Sequence, residues 1–488
     1  MLDTLPSDIL LYDIILPFLD GESIIHLSLV SRFFYALTND EFIWKKLCIE
    51  DFNISQDNAY RFEGWKKFYK ALRYHVKVFT WGENFDGRLG LDEPPRMISR
   101  RPNRVTVPQE LVALRNKCII DIASGGWSFH ALDTAGSVWT WGTMQQDITV
   151  RQSIGTRRLR TPTLLQSDNN GVQPKVQFRS ISSGRGHVIG LAAKDNSVWH
   201  WSNHVLLQKV ELLSFDSQHD KIVQVVANWN YSSVLTEKGD VYIVPKPDYV
   251  IPSEMDREPA TTVVAHPGVS IAQLFEHAHA DRYDKDKIVQ IAGLDGYTLA
   301  LTRFGRVLKL ATGDVDRFTA VPSQHVIELE KYSSLENEHN DRHRIMQRFI
   351  TGAFMNFAVY TKDKVLLGNT DAHSSTEPIQ MPELNHRGVC KVSFGDYHYG
   401  ALTNEGQVLT WGSFSSGALG LGNISHQHQS TPHIVEALKN QFAFAIGFGG
   451  WQSSVLAIEM NDDRPMSSHS EQIENEKEMD NSSMFIKK

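Results

Sequence analysis

The chain has 488 residues, 41% of them hydrophobic and 10% aromatic, which is enough for a large core and two or three domains. Its formal net charge of -8 is mild for this length and gives no field favouring phosphate backbones or anionic lipid, so nucleic acid is disfavoured as the main ligand. Cys48, Cys118 and Cys390 have no metal-like spacing, the first residues carry no basic region, and no apolar run is long enough to span a bilayer; a cytoplasmic or nuclear protein with no disulfide framework, no metal and no membrane partner is expected.

The first fifty or so residues carry helical periodicity. Pro6 suits a first turn, and Leu10, Leu11, Ile14, Ile15 and Phe18 follow at helical spacing until Pro17 and Asp20-Gly21 end the run. Ile24, Leu27, Val30, Phe34 and Leu37 recur three or four residues apart and are expected on one face. Thr38-Asn39-Asp40-Glu41 has the form of a capping box, followed by Phe42, Trp44 and Leu47. Three short helices of this size cannot bury all these side chains against one another, so part of the apolar surface is expected to face a partner.

Leu5-Pro6-Ser7-Asp8-Ile9-Leu10, Leu29-Val30-Ser31-Arg32-Phe33-Phe34 and Asn39-Asp40-Glu41-Phe42-Ile43-Trp44-Lys45-Lys46-Leu47 together resemble an F-box from end to end. The resemblance implies three interlocking helices that bind a Skp-type adaptor and, through it, a cullin scaffold. By matching positions it implies adaptor contacts at Leu5, Pro6, Ile9, Leu10, Ile14, Leu27, Val30 and Leu37; the alternative for each is packing within the small helical core. Residues 64–73 then read as a short basic amphipathic helix with Trp65, Phe68 and Leu72 on one side, expected to dock on the domain beyond it.

From Val76 the period changes to alternation, and the pattern repeats. Valine-led strands begin at Val78, Val138, Val198, Val241, Val307, Val365 and Val408. A second element begins at Ile122, Ile181, Val225, Ile291, Ile350, Val392 and Ile446, usually passes a small residue three positions on, and returns through a tight turn such as Thr134-Ala135-Gly136 or Glu237-Lys238-Gly239. The strand at Val78 has no preceding partner and the one ending at Val455-Leu456 no following one, so each is expected to complete the other and close a ring of seven blades.

Trp81-Gly82-Glu83-Asn84-Phe85-Asp86-Gly87-Arg88-Leu89-Gly90 and Trp411-Gly412-Ser413-Phe414-Ser415-Ser416-Gly417-Ala418-Leu419-Gly420 resemble the opening of the regulator-of-chromosome-condensation repeat, and Ile122-Ala123-Ser124-Gly125, His187 and His398 match its inner strand. Middle units depart from it, with Trp201-Ser202, Val244-Pro245 and Gly368-Asn369 in place of Trp-Gly. The expected architecture is a small all-α F-box of three short helices over 1–52, a linker helix over 53–75, an all-β seven-bladed propeller over 76–458 and a disordered acidic tail over 459–488. The combination is similar to the SCF-associated-factor type of F-box protein.

Residues 245–287 and 325–348 read as loosely ordered excursions from blades. No phosphate-binding loop, dinucleotide fingerprint or nucleophilic cysteine context is present, and His277-Ala278-His279 and His426-Gln427-His428 read as solvated loop histidines, so neither cofactor nor catalysis is expected. If the ring closes, the turns at Trp127, Arg185, Trp229, Phe354, Tyr397 and Trp451 lie at equivalent heights about one axis and are candidates for a recognition surface for protein substrates, the alternative being packing between blades. The resemblance implies a non-catalytic substrate receptor of a Skp-cullin-F-box ubiquitin ligase, delivering protein substrates for degradation. A nucleotide-exchange factor for a small GTPase and a ligase-independent F-box adaptor are the alternatives.

Overall fold

A computed structural model of the chain describes residues 19–52, 64–91, 104–144, 159–165, 176–204, 206–246, 262–275, 286–333, 349–361, 364–423 and 428–460. Residues 1–18, with the expected first helix and Leu5, Pro6, Ile9, Leu10 and Ile14, lie outside them, as do both histidine pairs except His428 and the tail from 461.

Four helices precede the first strand among the described residues: α1 (Gly21–Ser28), α2 (Arg32–Leu37), α3 (Glu41–Phe52) and α4 (Trp65–Tyr74). The stretch read as one helical face is two helices. Asp20 caps α1 by accepting from the Ser23 N–H at 2.8 Å, and Ser31, in extended conformation, caps α2 by accepting from the Phe34 N–H. This new start at Ser31 rotates the frame, so Ile24 and Leu37 are buried while Val30 is 66% exposed. The capping box at Thr38 does not form either. Asp40 caps α3 through the Phe42 N–H at 2.7 Å, the Thr38 hydroxyl donates to the Phe34 carbonyl at 2.8 Å, and the Glu41 carboxylate accepts from the Trp65 N–H at the start of α4.

Seven sheets follow, with strands running from Lys77 to Glu459. All seven valine-led strands and all seven second elements are present, and Ile119–Ser124, Phe178–Ser183, Ile222–Ala227, Ile288–Gly293, Phe349–Ala353, Val389–Phe394 and Gln441–Gly449 each begin a blade. Ring closure occurs where sequence reading places it. Lys77–Glu83 pairs antiparallel with Gln452–Glu459, with Val78 opposite Leu456 and Phe79 opposite Val455, so one four-stranded blade draws two strands from each end of the propeller. No strand edge is then left open between the ends of the ring.

Both excursions contribute a strand, where loose order was expected. Thr262–Ala265 adds to the neighbouring blade as a parallel fifth strand beside Gln208–Leu212, leaving its own blade with three strands. Val326–Glu328 pairs with Val307–Leu310, and Leu329 and Tyr332 enter the core. Each blade interface carries its own apolar cluster. The largest also contains the helices: Ile24, Ile43, Trp44, Phe52, Phe68 and Leu72 share one core with Val78, Leu114, Ile119, Phe442 and Ile458 of the propeller.

Candidate functional site

The inner strands surround a central channel of about 480 Å³. At one end of it, each inner strand turns into the second strand of its blade, and these turns are tied together blade to blade. The Gly126 N–H donates to the Arg185 carbonyl at 2.9 Å, Arg185 to Trp229 at 3.2 Å, Asp295 to Phe354 at 2.6 Å and Asp396 to Gly450 at 2.9 Å. Asn228 replaces the usual small residue; its buried amide donates to the carbonyl of Tyr297 at 2.8 Å and to the Thr298 hydroxyl, crossing to the next blade.

The Trp-Gly element explains how three of these turns are held. Gly82, Gly142 and Gly412 sit at φ of +108°, +87° and +102° beside β-bulges, and a Cβ there would lie 2.5, 2.3 and 2.5 Å from the carbonyl oxygens of Trp451, Trp127 and Tyr397. The next residue in each case, Glu83, Thr143 or Ser413, donates its N–H to that same carbonyl at 2.7–2.9 Å. Blades that keep Trp-Gly therefore pin an aromatic turn residue at the channel mouth. The tryptophan does the complementary work at Trp81, whose indole donates to the Ala418 carbonyl at 2.8 Å.

Four of the six turn residues singled out from sequence form one column. The Arg185 guanidinium carbon lies 4.2 Å from the ring centres of both Trp127 and Trp229, and Trp229 stacks on Phe354 with centroids 4.1 Å apart at 27°. Tyr397 and Trp451 are not part of this stack and are 58% and 38% exposed. Two acids from equivalent turns, Asp295 and Asp396, were not among the sequence candidates. Burial raises the pKa of each, while the charge of Arg185 acts in the opposite sense on both. Their positions beside Gly296 and Tyr397 in the aligned turns were the available signal. Buried between blades, His187 and His398 each bond to a serine hydroxyl of the next blade.

A second surface lies on the helices. Among the described F-box candidates, Val30 is exposed, Leu27 is half-buried, and Leu37 is buried within the shared core. Leu29, Phe33, Tyr35 and Phe42 are 42%, 37%, 48% and 62% exposed and were not singled out as contacts. They fall between the end of α1 and the first turn of α3, and Lys66 of α4 lies over the Tyr35 ring. The Ser31 cap was the signal that one helical face could not continue through Val30.

The two surfaces are on opposite faces of the propeller. Within the strand Gln441–Gly449, Phe442 meets Phe68 of α4 while Gly449 lines the channel beside the mouth turn, and seven strand steps amount to roughly 24 Å. Helix α4 is fixed at the first face by Phe68 and Leu72, by an Arg73–Glu22 ion pair to α1, and by its Arg73 carbonyl, which accepts from the Cys118 thiol.

The sequence matches the F-box-like family over residues 2–50 and the regulator of chromosome condensation (RCC1) repeat over 77–132 and 405–456. The chain carries an F-box-like domain and a propeller with RCC1 repeats. It is 24% identical to F-box protein pof9 of Schizosaccharomyces pombe over 92% of this chain and 89% of that one. It is 23% identical to SCF-associated factor 1 of Saccharomyces cerevisiae over 60% of this chain and 44% of the relative. The propeller superposes on Prp20p from Saccharomyces cerevisiae with a TM-score of 0.54 at 16% identity, covering 85% of this chain and 98% of that one, which establishes the shared fold. Among the described residues no group of three or more His, Cys, Asp or Glu is placed to hold a metal, and no described helix is long and apolar enough to cross a membrane.

Proposed function

We propose that this chain is a substrate-receptor subunit of an SCF-type ubiquitin ligase, holding a Skp-type adaptor, and through it a cullin, on its F-box-like helices and protein cargo at the propeller mouth. One observation carries the reading: Leu29, Val30 and Phe33 are exposed on helices whose other side is fused into the propeller core. The F-box-like match and the similarity to F-box protein pof9 support the same reading. Leu5, Pro6, Ile9, Leu10, Ile14 and Leu27 complete the adaptor contact in this proposal; Leu37 serves it indirectly, from the core.

Cargo binds, on this reading, at Trp127, Arg185, Trp229, Phe354, Tyr397 and Trp451, because aromatics and arginine supply most interface energy, and Arg185, Trp229 and Phe354 line the channel. No reacting group is required of the chain. Tethering a cargo lysine beside a charged conjugating enzyme raises its effective concentration, and that proximity supplies the acceleration. Degradation of the modified cargo, in the cytoplasm or nucleus, is the expected outcome.

Reconstitution of the intact chain with a purified Skp-type adaptor tests the first half. Stable complex formation is expected, lost on Val30→Glu with Phe42→Glu while the fold persists; a well-folded chain without adaptor affinity overturns the proposal. For the second half, Tyr397→Ala with Trp451→Ala is expected to abolish ubiquitin transfer to bound cargo without weakening adaptor binding.

A further inference from the structure

The mouth contains a cation whose hydrogen-bonding capacity the described residues leave unused. Arg185 packs against Trp127 and Trp229, each with its ring centre 4.2 Å from the guanidinium carbon. Its backbone is fixed as well, since its N–H donates to Trp229 and its carbonyl accepts from Gly126. Among the described residues, none accepts a hydrogen bond from the guanidinium and none forms an ion pair with it, although a guanidinium carries five N–H donors. Burial works against its charge, and the carboxylates that influence it, Asp396 and Asp295, stay outside ion-pairing distance. With two tryptophan rings against it and no acceptor among the described residues, the guanidinium offers the N–H donors of its edge to a ligand.

That edge matches a carboxylate, which accepts two parallel N–H bonds in the guanidinium plane. We propose that Arg185 is the carboxylate-recognising group of the mouth, and that cargo is captured through an unmodified aspartate or glutamate side chain. This rests on the reading of the mouth as the capture surface and names the chemistry it selects.

Asp295 and Asp396 set the discrimination. A carboxylate brings one negative charge past them, whereas a phosphorylated residue brings about -1.5 to -2 and is repelled correspondingly more. A lysine or arginine would be drawn to the two acids but would sit against Arg185 and leave its donors unpaired. The exposed rings of Tyr397 and Trp451 supply apolar contact for residues flanking the acid.

The test uses the immobilised intact chain and three degenerate peptide libraries that differ only in a fixed central glutamate, phosphoserine or lysine. The glutamate library is expected to be retained about tenfold above the other two, equivalent to about 1.4 kcal/mol. Both Arg185→Gln and Arg185→Lys are expected to erase that preference, the second because it keeps the charge but loses the fork. A measurement on the unaltered chain guards against misfolding of these variants: N-acetylglutamate amide is expected to displace the glutamate library and perturb tryptophan fluorescence, and N-acetylphosphoserine amide to do neither. Preferential retention of phosphoserine or lysine, or an undiminished preference in Arg185→Lys, overturns the proposal. Equal retention of all three libraries, abolished by Tyr397→Ala with Trp451→Ala, removes the carboxylate inference and leaves the mouth as a capture surface; equal retention unaffected by that double variant removes both.

Discussion

Phe68 of α4 meets Phe442 of the closing blade edge to face, with ring centroids 5.3 Å apart at 88°. Both rings are 1% exposed, and the contact sits in the single core that joins the helices to the propeller. The helical region is therefore a built-in part of the propeller wall rather than a module on a tether.

Phe68→Ala is expected to cost about 3–5 kcal/mol, the range for emptying a buried aromatic site. Chemical denaturation would show it as a lower midpoint for helices and propeller together. Two separated transitions, with only the helical one shifted, would contradict a shared core. The same reasoning affects truncation: removing residues 1–52 would strip Trp44 and Phe52 from that core and expose Phe68, so point variants are the cleaner way to separate adaptor binding from cargo binding.

Val30→Glu and Leu37→Glu are expected to fail differently. Val30 is 66% exposed, and an exposed glutamate there should leave the melting temperature within the change given by about 0.5 kcal/mol while abolishing adaptor binding. Leu37 is 8% exposed, and burying a carboxylate at that position should unfold the helical region. Equal thermal shifts for the two would contradict the placement of the break at Ser31.

Gly142→Ala would place a Cβ 2.3 Å from the Trp127 carbonyl at a φ of +87°. A non-glycine residue in such a conformation costs about 1–3 kcal/mol, and the clash adds to it. The Trp127 turn must shift, so the fluorescence of its indole should change more than that of a distant Gly422→Ala control, whose Cβ has 3.9 Å of clearance to Val107. An unperturbed spectrum would mean that Trp-Gly does not position the turn.

Acid should weaken the propeller. Burial lowers the pKa of His130 to about 3, of His187 to about 4 and of His398 to about 3. Their unfolded-state values lie near 6.5, so between those limits the unfolded chain binds more protons and stability rises with pH. Each histidine is expected to remove about 2 kcal/mol on going from neutral to about pH 5, with no further gain above about pH 7. Thermal midpoints across that range measure it, and a flat profile would place charge on these rings in the folded state.

Much of this architecture was legible because it repeats. Val78, Val138 and their counterparts stand at the same place in every unit, and closure followed from two unpartnered strands, Val78 opposite Leu456. Periodicity misled where a single capping residue outweighed it. Ser31 restarts the helix and turns Val30 outward, and Asp40 took the cap that Thr38-x-x-Glu41 suggested, because Glu41 was drawn to Trp65 instead. Trp127, Arg185, Trp229 and Phe354 could be assigned to equivalent turns from spacing, but their stacking depends on how far neighbouring blades rotate, which spacing does not encode. Asp295 and Asp396 matter through their charge beside Arg185, which has no acceptor among the described residues.

The closing pair also sets the order in which the molecule can be made. Lys77–Glu83 finds its partner strand only in Gln452–Glu459, which follows every other blade in the sequence, so its inward edge stays unsatisfied while those blades are made. Contacts that distant in sequence form slowly, and an open strand edge invites pairing with other chains in the meantime. A nascent ribosome-bound chain would therefore carry an incomplete ring, vulnerable to premature termination at any point before the last blade.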